Sequence, residues 1–409
     1  MFVPSPSHPF PHPSIDFLRD IQTVQAKSPY LLPEGAVYAM DVSQYTQYPL
    51  RPGFAKYGAI AYFDLSFRPC GIWHCESQKM VFPGEPSFQH VLLLFRSTLM
   101  IEAVISYNLL YLHCLICNDV AVASEKHLSA SHPIRRLLRP HTFGSSRMNY
   151  TSYTTLAPYG GLLSRLTAFT EESWEAMLRN NLHRMKYEPF SKFFQQTGLP
   201  EELKQSLPLY QDGMDYWNLT ARYVQRYSEI IYPEDRFLAE DQELQAFWCE
   251  IQNNSPSSSS YYSSSEDGLT MGTMVEYLTN FIFTVTGLSQ VFGTVGDCPA
   301  LYFPMKVFEG KEESDVQTCL LQTSYLAITS GKMPKLLNNW WAGNIFSDMT
   351  LRNRSPLSEH NMGELEKNHS EWQESLRQLS HAIDQRNILE RNCPFNAMNP
   401  RHMECSISL

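Results

Sequence analysis

The sequence predicts a mainly α-helical fold with a small strand-bearing portion near its N-terminal end. Three observations predict it. Apolar residues recur at helical spacing through 88–128, 162–185, 201–232, 237–253, 270–292, 316–330 and 364–390. Upstream, 36–87 mixes Pro and Gly with short apolar runs such as Ala59-Ile60-Ala61-Tyr62-Phe63, the pattern of strands and loops. The composition, 43% hydrophobic and 13% aromatic against 18% charged, gives a 409-residue chain ample material for one thick core.

Taken in order, residues 1–35 are Pro-rich and predict a loosely ordered arm, followed by the strand and loop portion at 36–87. From 88 to 409 the chain predicts one large helical domain. Its most apolar run, Val91 to Cys117, is interrupted by Arg96, Glu102, Asn108 and His113, which suits a buried helix better than a membrane span. The Ser-rich stretch NNSPSSSSYYSSSEDG at 253–268 predicts an exposed loop between two helices. In 364–390, Leu365, Trp372, Leu376, Leu379 and Ile383 fall on one stripe. No internal repeat is present.

Charge and cysteine usage exclude several classes. A net charge of −10 lacks the basic field that non-specific nucleic-acid binding requires, and Arg135, Arg136 and Arg139 read as a solvated helix face. The nine cysteines are odd in number and irregularly spaced, and the start, MFVPSPSHPFPHPSIDF, has prolines and histidines where a signal peptide has an apolar run. Free thiols in a reducing compartment follow, so the expected location is the cytoplasm. The sequons at Asn149, Asn218 and Asn368 then carry no weight. No Gly-x-Ser-x-Gly elbow, P-loop or dinucleotide fingerprint occurs. His113, Cys114 and Cys117 place three soft ligands close together on one helix, but cysteine on an apolar helix ordinarily fills core, and these are read so.

Six collinear stretches carry a resemblance. They are HLSASHPIRRLLRPH (127–141), LPLYQDGMDYWNLTARYVQRYSEIIYP (207–233), AEDQELQAFWCEI (239–251), PALYFP (299–304), RNILERNCPF (386–395) and the final Ser406-Ile407-Ser408-Leu409. Together they resemble the catalytic domain of lipoxygenases over roughly residues 88–409, nearest the fungal manganese-type branch that has no N-terminal β-sandwich domain. The resemblance implies a helical domain around a metal buried beside a U-shaped apolar channel. It also implies that His132 and His141 are scaffold positions rather than ligands.

In that family a redox-active Fe or Mn takes a hydrogen atom from a polyunsaturated fatty acid, and oxygen then adds. The resemblance implies three histidines, often an Asn, and the terminal carboxylate as ligands. Two of the histidines lie five apart on one helix, a spacing that needs a local π-bulge. Here the slots fall on Ala103 and Asn108, on Gln290 with Thr294 in the Asn position, and on Leu409. No shift of register restores the set: His113 is the only histidine between Val91 and Lys126, and none occurs between His183 and His360. Methyl and amide groups supply none of the nitrogen donors that such a metal needs, so no metal and no cofactor are expected. Phe88, Leu92 and Leu99 stand where the family has Trp, Lys and Asp.

Three readings follow. The first is a metal-free enzyme that folds a polyene or terpenoid of secondary metabolism for a non-redox step: cyclisation, a Diels–Alder-type pericyclic reaction, or isomerisation. Asn108, Gln290 and His113 are its candidate hydrogen-bond donors, and Ala103, Asn108, Thr294 and Leu409 its substrate-lining positions. The second is a dioxygenase with an altered Fe or Mn site. The third is a pseudoenzyme that binds lipid. A hydrophobic small molecule is the expected partner in each, and the oligomeric state is not legible.

Overall fold

A computed structural model describes residues 32–66, 68–185, 187–196, 200–254, 269–292, 304–310, 335–337, 358–391 and 394–407. Nearly all of the predicted N-terminal arm, most of the 253–268 loop and the predicted helix at 316–330 lie outside them. The described part is mainly helical, with a small antiparallel sheet at its N-terminal end, as the sequence predicts.

The sheet is a meander of four strands in sequence order: β1 (Tyr38–Asp41), β2 (Ala59–Phe63), β3 (Pro69–His74) and β4 (Lys79–Val81). Strand alternation divides it into two faces. Ala59, Ala61, Phe63, Ile72 and Val81 join the main core, while Ala39, Tyr62, Ile60, Trp73 and Met80 form a separate small cluster. The core face rests on α1 (Phe88–His127), where Phe63 meets Phe95 with ring centroids 6.3 Å apart. Just before β2, Gly58 donates its N–H to Thr98 Oγ1 of α1 at 3.1 Å, at φ +100°. A Cβ there would lie 2.5 Å from Thr46 Cγ2, so only glycine permits this approach.

Helix α1 is 40 residues long and apolar enough to cross a membrane, but 94% of its most apolar window is buried inside the protein. It is the central core helix, apolar on all sides because protein surrounds it. After it come α2 (Pro133–Leu138), α3 (Ser145–Thr151, followed by a π turn, Ser152–Leu156), α4 (Leu162–Leu166), α5 (Glu171–Arg184), α6 (Phe190–Gln196), α7 (Glu201–Ser206) and α8 (Pro208–Ile231). The rest are α9 (Asp235–Glu240), α10 (Gln242–Asn254), α11 (Met271–Phe283, continued by Thr284–Leu288 and Ser289–Phe292) and α12 (Glu359–Leu389).

Three predicted helices are each divided in two, for local reasons. Thr170 interrupts 162–185 and caps α5 by accepting the Ser173 N–H at 3.3 Å. Pro208 interrupts 201–232, since it starts a helix but cannot continue one. Asp241 interrupts 237–253, its carboxylate accepting the Leu244 N–H at 3.0 Å.

Helix α8 packs between α11 and α12. Tyr216 stacks on Phe283 at 5.6 Å and shares a 2.6 Å hydrogen bond with Thr286 Oγ1, while Tyr223 lies flat on Trp372 at 4.4 Å. At the other end of α12, two arginines close on the fully buried Asp212 of α8. Arg386 donates to its Oδ1 at 2.6 Å and to Asp215 at 2.6 Å, and Arg391 donates to both Asp212 oxygens at 2.7 and 2.8 Å. Replacing Asp212 by Ala leaves two guanidinium groups facing a buried hole. The expected loss is about 3–5 kcal/mol of stability, read as a lowered thermal or urea midpoint.

The histidines of 127–141 are scaffold. His132 caps α2 through Nδ1, which accepts the Ile134 N–H at 3.2 Å, so its Nε2 donates to Asp241 at 3.0 Å. His141 donates from Nδ1 to the Cys405 carbonyl at 2.7 Å, tying this segment to the chain's last described residues. Burial lowers the His141 ring to about 4 against the partial support of that carbonyl, so it is neutral. Burial would raise the Asp241 carboxyl, but hydrogen bonds from His132, Tyr232 and Leu244 outweigh it and hold the group down at about 2. The stability Asp241 contributes is therefore full above about pH 4 and lost as pH falls towards 2. Asp241→Asn should flatten the fall of melting temperature across that window.

Candidate functional site

The site is built on the middle of α1. From Glu102 to Cys117 this helix adopts π-type hydrogen bonding, each N–H reaching one residue further back than in an α-helix. That wider turn stacks residues four or five apart above one another, which suits Ala103, Asn108 and His113 to one side of the helix. Asn108 and His113 are buried and Ala103 is partly buried. The end of α11, Ser289–Phe292, and the π turn before it pack directly on this segment. The fold thus brings together the two helices that carry the predicted slots.

Of those slots, Thr294 and Leu409 lie outside the described residues. Gln290 is partly buried, and its amide donates to Ser289 Oγ in its own helix at 3.5 Å. Its neighbour Ser289 is the buried one, its hydroxyl returned to the Val285 carbonyl at 2.8 Å. On the same helix Thr284 Oγ1 is fully buried without a hydrogen-bond partner among the described residues, a feature that the sequence pattern does not show.

His113 is oriented by a chain of amides. Its Nδ1 lies 3.1 Å from Asn149 Oδ1, and Asn149 Nδ2 donates to Asn118 Oδ1 at 3.2 Å. Because Asn149 presents its oxygen, His113 Nδ1 is the donor of this pair. Asn149, matched only by a sequon motif in the sequence, is buried, as its role requires.

The two thiols nearby are core groups. Burial pushes Cys117 up to about 12 despite its 2.9 Å contact with Ser145 Oγ, and burial pushes Cys114 up to about 11 despite a hydrogen bond with Tyr153. Burial keeps both protonated near neutral pH, so neither is an activated nucleophile.

A polar network on α1 also escapes sequence reasoning. Glu102, buried beside Ala103, pairs with Arg184 of α5 and accepts a hydrogen bond from Tyr45. Asn181 donates to Ser106 Oγ at 2.7 Å and to the Tyr45 hydroxyl at 3.2 Å, and accepts from Arg184 Nε at 3.1 Å. Burial first, and the Glu102 charge next, raise the Tyr45 phenol well above its ordinary range, so it stays a donor. The only sequence signal is an acid within an apolar run. Its cation lies 82 residues away.

Comparisons with known proteins agree with this geometry. Residues 99–291 match the family model described as Lipoxygenase. The chain is 26% identical over 324 residues to a human polyunsaturated fatty acid lipoxygenase, ALOX15B, covering 74% of this chain and 45% of that protein. It is 27% identical over 181 residues to the rat hydroperoxide isomerase ALOXE3, covering 41% of this chain and 24% of that one. The chain thus spans less than half the length of these relatives. A solved manganese lipoxygenase superposes with a TM-score of 0.72 at 15% identity, over 96% of this chain and 78% of that one, which shows the fold.

The side chains of this site do not fit the metal that the fold implies. Among the described residues, no three His, Cys, Asp or Glu side chains lie close enough to hold an ion. The π segment offers one imidazole, engaged at Nδ1 by Asn149, and two thiols already engaged by Ser145 and Tyr153. The family match, the extended similarity and the superposition nevertheless agree on one conclusion: the chain holds a lipoxygenase-family catalytic domain.

Proposed function

We propose that this protein is a metal-free, lipoxygenase-like enzyme that binds a hydrophobic polyene or terpenoid and catalyses a non-redox cyclisation, pericyclic or isomerisation step. One observation carries the reading. A π-helical segment of sixteen residues, Glu102–Cys117, lies mostly buried at the centre of the protein, and the positions that the resemblance assigns to metal ligands hold Ala103 and Asn108 there. A π-helix has poorer hydrogen bonds than an α-helix and occurs most often at functional sites, and that supports reading this segment as a binding surface.

Such reactions need a substrate held folded, with its reacting carbons together. Confinement and orientation can remove up to about 7–11 kcal/mol of barrier. The groups around these positions are apolar: Ile105, Leu109 and Leu112 on α1, and Val285 and Leu288 on the π turn that packs on it, belong to one core, among which the proposed substrate would have to lie. Asn108 offers an amide N–H to a substrate carbonyl or hydroxyl and would stabilise negative charge growing there. The buried hydroxyl of Thr284 is the candidate for a second polar contact, and His113, fixed through Nδ1 by Asn149, for a third. No cofactor enters this scheme, and the free cysteines of the described part suit a reducing cytoplasm.

Isomerisation has a second support: one relative carries isomerase in its name. The test is incubation of purified protein with candidate polyenes, with and without oxygen, followed by mass spectrometry. The expected product has the mass of its substrate and forms equally fast without oxygen. Products heavier by two oxygen atoms, formed only in air, would overturn the proposal in favour of a dioxygenase. Absence of any turnover, with substrate bound, would favour the lipid-binding pseudoenzyme.

Asn108→Ala should lower turnover about 100-fold or more, the usual cost of removing a donor aimed at developing charge, with little change in substrate affinity. Gln290→Leu should have a much smaller effect, since the Gln290 amide is directed to its own helix. Unchanged turnover in Asn108→Ala removes the role assigned to that residue.

A further inference from the structure

The chain is acidic, with 42 Asp and Glu among 409 residues, yet from Lys126 to Thr170 it has none. That stretch carries Lys126 and five arginines instead. Arg136 is buried and Arg135 is turned to the Leu128 carbonyl, but Arg139, Arg147 and Arg165 are exposed.

The same stretch gathers exposed apolar surface. Of eleven large hydrophobic side chains exposed among the described residues, four lie within 143–159: Phe143 (42%), Tyr150 (72%), Tyr153 (54%) and Tyr159 (39%). Arg147 and Tyr150 are three apart and share a face of α3, while Tyr153, on the π turn, is half exposed with its hydroxyl turned in to Cys114. Single exposed hydrophobic residues need no explanation, but an aromatic group of this density, flanked by cations, does.

The opposite face of α3 touches the candidate site. Asn149 holds His113, and Ser145 holds Cys117. One helix therefore separates the aromatic surface from the π segment of α1. Lys126 is paired with Glu250 at 2.8 Å, so the positive charge of this stretch rests on its exposed arginines.

We propose that this face of α3, centred on Arg147 and Tyr150, docks the protein on an anionic lipid bilayer, from which its hydrophobic substrate is drawn. The chemistry matches on both counts. Tyrosine, apolar in body and polar at its tip, is favoured at the headgroup level, and arginine is attracted to negatively charged lipid. Docking here places the bilayer one helix away from the site. The substrate part of this inference rests on the proposed function, but the docking does not, and the two are tested apart.

The experiment is sedimentation of the full chain with vesicles of phosphatidylcholine alone, or with a third phosphatidylserine, at low and high salt. The protein should sediment with the anionic vesicles, release as salt rises, and bind neutral vesicles weakly. Tyr150→Ser with Arg147→Glu should weaken anionic binding at least tenfold, while Ile388→Ser with Leu389→Ser, at the far end of α12, should leave it unchanged. Should the double variant fold poorly by circular dichroism, Arg147→Glu alone carries the comparison. No sedimentation with anionic vesicles, as for a protein-docking face, overturns the proposal, and so does binding indifferent to lipid charge. Equal effects of the α3 and α12 variants also overturn it. Vesicle binding without turnover, or turnover without vesicle binding, separates this proposal from the proposed function.

Discussion

The structure depends on the hydrogen-bond register of one buried helix. In α1 the backbone widens to a π pattern from Glu102 to Cys117, and this decides which side chains meet at the centre of the protein. A π-helix is uncommon because its bonds are poorer than those of an α-helix, and it persists when tertiary contacts hold it. Those contacts are present here. The Glu102–Arg184 pair and its Tyr45, Ser106 and Asn181 partners hold the start of the segment, and the amide chain from His113 to Asn118 holds its end.

The rest of the fold serves this helix. The sheet covers its first turns, α11 crosses its π segment, and α3 closes the other side. The Arg386 and Arg391 clamp on Asp212 fixes α12 to α8, and α8 in turn carries Tyr216 against α11. The result is a rigid frame in which only a few polar groups stand among apolar ones.

Much of this is legible in the sequence. Helical periodicity locates the long helices, and the resemblance locates the segments that tie them together. His132 and His141 read as scaffold, and both are satisfied by backbone and carboxylate partners. The divisions of three helices at Thr170, Pro208 and Asp241 are written in capping residues but overrun by apolar periodicity, which does not register caps. Asn149 and Arg184 are illegible because their roles depend on partners 36 and 82 positions away. The docking face is hidden for another reason. Of the arginines read as a solvated helix face only Arg139 is exposed, since Arg136 is buried and Arg135 turns to the Leu128 carbonyl, and Arg147 gains meaning only from the exposed aromatic side chains near it in the chain.

The central claim is that this frame works without the transition metal of its relatives. The most direct test is elemental analysis of the purified protein, produced in medium supplied with iron and manganese and freed of loosely held ions by gel filtration. The predicted result is far less than one Fe or Mn per chain. One equivalent of either, retained through purification and lost with Asn108→Ala, would contradict it.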